Sequence, residues 1–148
     1  GIKTTFTPEG ALLTKQNTTL SCYEAALTTC PDLAQTMVAT CCAMGVPFRF
    51  SGLQSLKIKE TDRIYALITE FRKLGYVISE AEDSILYWNV EHCEPAAQPA
   101  IDTYEDHRMA MSFAPCCQTL GSIVINHPEV VSKSYPGFWG EFDSVHSS

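Results

Sequence analysis

Shifting the sequence by 74 positions brings it into register with itself. Gly1 falls on Gly75, Asp32 on Asp106, Met37 on Met111, Cys42 on Cys116 and Lys59 on Lys133. The chain is 148 residues long, twice 74. Self-similarity at a fixed period marks a supersecondary unit whose apolar face is buried against its copy. The chain therefore reads as two units of about 74 residues sharing one core, residues 1–148 forming a single partial domain. A chain of this length buries roughly 70% of the surface it exposes unfolded, so such a core is affordable in area.

The unit can be followed along the chain. KTTFTPEGALLTK alternates around Pro-Glu-Gly and predicts a hairpin. In DLAQTMVATCCAMG, Leu33, Met37, Cys41 and Met44 recur at helical spacing, with Asp32 at the N-cap position and Gly45 as the stop. PFRFSG predicts a short strand. In KETDRIYALITEFRKLG, Ile64, Leu67, Ile68, Phe71 and Leu74 form one stripe of a helix. YVISEAEDSILYWN returns to a hairpin around Glu82-Asp83. The second unit repeats the order with a helix over DHRMAMSFAPCCQTLG, kinked or shortened at Pro115. A strand over SIVINHP and a weak helix over SYPGFWGEFDSV complete it. Residues 91–100 read as a loop within the fold. Alternating strands and helices predict an α/β protein.

A net charge of -7 and a pI near 5.0 argue against a nucleic acid or an anionic membrane as partner. No apolar run reaches the ~18–20 residues that span a bilayer, and no secretory signal pattern opens the chain. It starts at Gly1 without Met, directly in a strand pattern, which reads as a piece of a longer protein. The seven cysteines contain no Cys-x-x-Cys pair. They read as small core residues of a protein in a reducing compartment, not as a metal site.

The cations sit where helices do not favour them. Lys59 and Arg63 fall at the start of one predicted helix, Arg108 at the start of the next, and Lys133 just before the last. A helix N-terminus carries partial positive charge and prefers acids; Asp32, Glu60 and Asp106 obey that rule. One explanation is a solvated helix end with local ion pairs worth ~0.3–0.5 kcal/mol. The other is a bound anion, toward which backbone N–H groups and side-chain cations point together. Local rules tend to break at functional sites, and a repeated unit opens equivalent helices on the same side.

Four segments resemble a known family. LKIKETDRI (56–64), YEDHRMAM (104–111), SKSYPGFW (132–139) and CPDLAQTMVA (30–39) are similar, in order, to segments of the 3-phosphoshikimate 1-carboxyvinyltransferases, or EPSP synthases. They cover most of residues 30–142. The pairing of Lys59-Glu60-Thr61-Asp62-Arg63 with Asp106-His107-Arg108 is highly specific. The resemblance implies a fold of βαβαββ units packed as an inside-out α/β barrel, three per domain, helix N-termini facing an interdomain cleft. This chain would supply about two units of the C-terminal domain. The other domain, the missing N-terminal part of the same protein, would be its partner.

The resemblance also implies a reaction: transfer of the enolpyruvyl group of phosphoenolpyruvate to the 5-hydroxyl of shikimate 3-phosphate, with release of phosphate, in the cytoplasm. Asp32 would be the base at the hydroxyl. Lys59 would contact shikimate 3-phosphate and shuttle protons, and Glu60 would protonate the methylene carbon. Arg63, Arg108 and Lys133 would clamp phosphoenolpyruvate, Arg being suited by its planar fork. Asp106 and His107 would line the site behind these contacts. No cofactor and no metal are implied. Two departures stand out: Ser55, where the family often has Asn, and Pro115 inside its helix. The family's Lys, Ser and Arg of the other segments are absent here, so the chain alone is expected to give no turnover. Loss of a third unit would expose apolar faces, so a non-physiological homo-oligomer is expected. Two other readings compete: a UDP-N-acetylglucosamine enolpyruvyl transferase, which lacks this pairing of motifs, and a non-catalytic anion-binding module.

Overall fold

A computed structural model describes residues 1–17, 20–58, 61–82 and 84–146. The chain opens with the hairpin β1 (Ile2–Thr7) and β2 (Gly10–Lys15), antiparallel with Ile2 opposite Lys15 and Phe6 opposite Ala11. Every residue of both strands is exposed. The hairpin is a two-stranded sheet of its own.

The main sheet follows. It joins β3 (Tyr23–Ala26), β4 (Phe48–Ser51), β6 (Ile85–Trp88) and β5 (Ser79–Ala81) in that spatial order. β3 pairs parallel with β4, and β6 runs antiparallel to both β4 and β5. Two helices connect these strands, α1 (Ala34–Met44) between β3 and β4 and α2 (Arg63–Lys73) between β4 and β5. The order is β-α-β-α-β-β. The hydrogen-bonded unit thus begins at β3 and straddles residue 75, where the sequence alone placed a boundary.

The series then resumes with β7 (Ala100–Ile101), α3 (His107–Phe113), α4 (Cys117–Leu120), β8 (Val124–Ile125) and α5 (Phe138–His146), β7 pairing parallel with β8. Pro115 acts as expected: a 3-10 turn, Ala114–Cys116, separates α3 from α4. β3 and β7 escaped the sequence reading because they are short and alanine-containing, and a parallel partner more than 20 residues away defines them. The class is mixed α/β. The sheets stay separate, and no closed barrel forms among the described residues.

The core lies between the main sheet and the helices. Phe48 and Phe50 stack at 4.7 Å on the sheet, and Phe71 of α2 meets Phe113 of α3 at 4.5 Å. Each is fully buried, as is Trp88, and each such side chain contributes about 2–3 kcal/mol. α1 buries Ala34, Val38, Ala39, Cys41 and Cys42. The stripe read from the sequence is displaced: Leu33 and Met44 are 52% and 67% exposed. α1 packs on α3 closely enough for the Thr36 and Ser112 hydroxyls to lie 3.1 Å apart. The apolar residues of α1 that are buried are small, and Met44 instead lines a cavity of about 280 Å³ beside Met111 and Pro115. Gly45 closes α1 at φ 66°, its N–H reaching the Cys41 and Cys42 carbonyls. Cys41, Cys42 and Cys116 behave as small core residues. Burial pushes the Cys41 and Cys116 thiols up to about 11, and Cys42 higher still. Among the described residues no helix is long and apolar enough to cross a membrane.

Candidate active site

Arg63 is the first residue of α2. Asp62 caps that helix, its carboxylate accepting from the Tyr65 N–H at 3.0 Å. The helix therefore starts later than the sequence reading placed it. Lys59 and Glu60, two of the three expected catalytic groups, lie outside the described residues.

Arg63 is 2% exposed, and its guanidinium is held from two directions. Nε donates to Asp106 Oδ2 at 2.6 Å, and Nη1 donates to Asp32 Oδ1 at 2.7 Å. Asp106 is the N-cap of α3, and its Oδ1 accepts from the Arg108 N–H at 2.9 Å. A buried Gln35 also points its amide at Asp106 Oδ2, at 3.4 Å. One carboxylate thus caps α3 and orients the arginine at the start of α2.

Asp32 joins the second arginine to the first. Its Oδ2 accepts from Arg108 Nη2 at 3.3 Å while its Oδ1 faces Arg63. The expected capping role for Asp32 is not what the structure shows. Pro31 starts a 3-10 turn, Pro31–Leu33, so α1 begins only at Ala34, with Leu33 at its N-cap and no side-chain cap. The Asp32 carboxylate is instead committed to the two guanidiniums. The exposures are graded: the Arg63 side chain is 3% exposed, those of Arg108 and Asp32 36% and 41%. An inner arginine is locked from behind, and an outer arginine and carboxylate face solvent.

This explains the cations at helix starts. Arg63 and Arg108 oppose the helix dipoles, but Asp62, Asp106 and Asp32 offset them. A buried ion pair is a weak source of stability, because desolvation takes back much of the Coulomb gain. It does fix geometry. Two guanidiniums flank one half-exposed carboxylate, that of Asp32.

The other expected residues are placed differently. His107 opens α3 half-buried, beside Arg108. Lys133 ends the 3-10 turn Pro128–Lys133 and is exposed. It lines a cavity of about 570 Å³ together with Asp102, Tyr104, Glu105 and His127. No hydrogen bond or ion pair joins Lys133 to Arg63, Arg108 or Asp32 among the described residues. The strip Tyr104-Glu105-Asp106 nonetheless touches both groups, its first two residues on the cavity and its third on Arg63. A larger cavity, about 690 Å³ beside Arg72, Cys93 and Pro95, contains none of the expected site residues. No cluster of three or more His, Cys, Asp or Glu side chains able to hold a metal occurs among the described residues.

A family model described as EPSP synthase (3-phosphoshikimate 1-carboxyvinyltransferase) matches residues 2–142. The chain belongs to the EPSP synthase family. Membership implies the enolpyruvyl transferase fold, in keeping with the β-α-β-α-β-β order of the main sheet. A 3-phosphoshikimate 1-carboxyvinyltransferase of Bacteroides fragilis (strain YCH46) is 54% identical over 141 residues, 95% of this chain and 34% of that protein. Proteins of the same name from Cellvibrio japonicus and Idiomarina loihiensis are 40% and 37% identical over 79% and 78% of this chain, covering 27% and 26% of theirs. The chain spans about a third or less of the length of these curated relatives.

Within this EPSP synthase chain the structure adds residues that the sequence reading passed over. Glu70 is fully buried on α2, and its carboxylate gathers three donors: the Tyr104 hydroxyl at 2.7 Å, the Asp102 N–H at 3.0 Å and Lys73 Nζ at 2.7 Å. Lys73 also reaches Asp102 Oδ2 at 2.8 Å and the Ala100 carbonyl at 3.1 Å. Asn126 donates to Asp102 Oδ1 at 2.7 Å. Hydrogen bonds from Asn126 and then Lys73 hold the Asp102 carboxyl below its ordinary range. Burial works against the Lys73 ammonium, but hydrogen bonds to Asp102 and Glu70 outweigh it and raise its pKa. Burial, then the bond to Glu70, raises that of Tyr104. The signal was present in the sequence: Glu70 interrupts the apolar stripe Ile64, Leu67, Phe71, where a carboxylate needs buried donors.

Proposed function

We propose that this chain forms part of the C-terminal domain of an enzyme that transfers the enolpyruvyl (1-carboxyvinyl) group of phosphoenolpyruvate to the 5-hydroxyl of shikimate 3-phosphate, releasing phosphate. The observation that carries it is the meeting of Arg63, Arg108 and Asp32, contributed by three separate segments of the chain. Family membership and the shared name of the relatives supply the substrates.

In this scheme Asp32 takes the proton of the attacking hydroxyl as its oxygen bonds to the central carbon of phosphoenolpyruvate. Glu60 gives a proton to the methylene carbon, which becomes a methyl group, and a tetrahedral intermediate results. Loss of phosphate, with return of a methyl proton to the protein, regenerates the double bond. Arg63 and Arg108 hold the anionic groups of phosphoenolpyruvate, Lys133 closes the clamp from the neighbouring wall, and Lys59 contacts shikimate 3-phosphate. Asp106 keeps Arg63 in place. His107 lines the site. The scheme calls for no cofactor and no metal.

The architecture proposed with it is tandem βαβαββ-type units of an inside-out barrel, two of about 74 residues in this chain. The recurrence of β-α-β-α after β6 supports this. The N-terminal domain of the longer protein would form the opposite wall of the cleft, and the enzyme would work in the cytoplasm. Phe6, Leu12 and Leu13 are 84%, 59% and 64% exposed on the hairpin, so the isolated chain is expected to self-associate.

The test joins the chain to the remaining two thirds of the Bacteroides fragilis relative and measures phosphate release from the two substrates. The hybrid should turn over, its Asp32→Ala version should lose at least a hundredfold in kcat, and the 148-residue chain alone should release nothing. A fully active Asp32→Ala hybrid refutes the assignment.

A further inference from the structure

Glu70 lies two turns along α2 from Arg63, and the two share the buried face of that helix. Two of the three donors on its carboxylate belong to the strip that runs into Asp106: the Asp102 N–H and the Tyr104 hydroxyl. The third, Lys73 of α2, also ties the Asp102 carboxylate to Glu70. Between the grip and Asp106 the backbone is strained: Tyr104 and Glu105 have φ of 52° and 57°. Two consecutive left-handed residues without glycine are rare, and each costs about 1–2 kcal/mol. Such a turn persists only where its surroundings over-determine it. Glu70 holds this strip at two points, alongside Lys73 and Asn126 on the Asp102 carboxylate and the Asp106 N–H on the Thr103 carbonyl. The strained turn then delivers Asp106, which accepts from Arg63 Nε and caps α3. The same network reaches the other wall, because Asp102 also holds Asn126, two residues before the 3-10 turn that ends in Lys133.

We propose that Glu70, through Tyr104, is a positioning residue of the Arg63 and Arg108 pair, setting the strained 102–106 turn that aims Asp106 at Arg63. This rests on the reading of Arg63 and Arg108 as an anion site. Glu70 touches no substrate in this account. It acts on where the Arg63 guanidinium points.

The test uses the 148-residue chain and two variants, Tyr104→Phe and Glu70→Gln, with Ile78→Val as a control that trims a buried side chain outside the network. Two quantities are read: the Arg63 Nε–Hε resonance with its solvent exchange rate, identified by its loss in Arg63→Lys, and the dissociation constant for inorganic phosphate. In Tyr104→Phe the resonance should shift and exchange roughly fivefold faster, and phosphate should bind roughly fivefold more weakly, the factor expected for one net hydrogen bond. Glu70→Gln should exceed this, and Ile78→Val should move neither quantity. If Glu70→Gln does not fold, Tyr104→Phe carries the test, since it removes one hydroxyl and almost no volume. An Arg63 signal that neither shifts nor exchanges faster in the folded variants overturns the proposal. If the signal responds but the wild-type chain binds no phosphate, the positioning role stands and the anion-site reading falls.

Discussion

Asp106→Asn isolates the charge that holds Arg63. Asparagine keeps the shape of aspartate and caps helices as well as aspartate does, so the 2.9 Å bond from the Arg108 N–H survives. What is lost is the negative charge 2.6 Å from the guanidinium of a residue that is 2% exposed. Removing one partner of a buried ion pair costs about 3–5 kcal/mol. Asp32 still stands 2.7 Å from Nη1 and is 41% exposed, so part of the compensation remains. The expected loss is therefore about 2–4 kcal/mol. Asp106→Ala should lose roughly 1 kcal/mol more, because the cap goes too. Urea unfolding at pH 7 measures both. With a slope of about 2 kcal/mol per molar, the Asn variant should unfold 1–2 M earlier at an unchanged slope. A loss below about 1 kcal/mol for Asp106→Asn, or equal losses for Asn and Ala, would refute the reasoning, which requires a buried charge pair and a cap to be separable.

Gly52 sits at φ 77°, and a Cβ there would lie 2.3 Å from Thr28 Oγ1 and 2.7 Å from the Thr28 nitrogen. Gly52→Ala should lower the melting temperature by roughly 5–10 °C, corresponding to about 2–3 kcal/mol, and a shift within 2 °C counts against the close approach. Alkaline pH should destabilise the fold. The Cys41 and Cys116 thiols titrate near 9.0 unfolded and about 11 folded. Their contribution is complete below pH 9, falls as pH rises from 9 to 11, and is on the order of 1–3 kcal/mol each. Under reducing conditions the urea midpoint should drop across that window, less so in Cys41→Ala, and a flat profile would contradict the burial. Acid acts through Asp102: its lowered pKa supplies stability above the unfolded value of 3.8. That stability fades as pH falls through the folded value, and Asn126→Ala should blunt the effect. Phe6→Ser and Leu12→Ser should each change stability by no more than about 0.5 kcal/mol, since both side chains are exposed. They should nevertheless reduce self-association in light scattering, and a monomeric wild type at high concentration removes the basis for that expectation.

What the sequence made legible was periodic or local. The Gly45 stop, the break at Pro115 and the two hairpins are written in neighbouring residues, and the structure has each of them. What it hid was settled by distant partners. β7 is two residues long and exists because Ile101 lies opposite Ile125. The face of α1 differs from the expected stripe because it is set by its packing on α3, which buries Ala34, Val38, Ala39, Cys41 and Cys42 and leaves Met44 exposed. Asp32 looked like a cap, since a carboxylate before an apolar helical run satisfies the capping rule. Its true partners, Arg63 and Arg108, are 31 and 76 residues away. Glu70 is a mixed case. Its place beside the apolar stripe of α2 hints at burial, but its partners Asp102 and Tyr104 lie 32 and 34 residues away, and only the packing of residues 102–104 over it identifies them.

The arrangement also bears on how the site must be completed. Within the described pairs the charges cancel: two guanidiniums face two carboxylates, and in the proposed scheme Asp32 already occupies the position an incoming anion would take. On that scheme an external phosphate or carboxylate would have to displace a tethered competitor whose effective concentration is far above that of a free ligand. Arg63 cannot relax to help, because Asp106 holds it from behind. A substrate with two or three negative charges gains over a single carboxylate only if further cations surround it. In the proposed scheme those come from Lys59, from Lys133 on the neighbouring wall and from the parts of the longer protein that this chain does not span. The same displacement would swing the Asp32 carboxylate off the guanidiniums and toward the hydroxyl it is meant to serve. Anion binding and exposure of the base are then one event, so a chain able to bind the anion only weakly would also keep its base engaged.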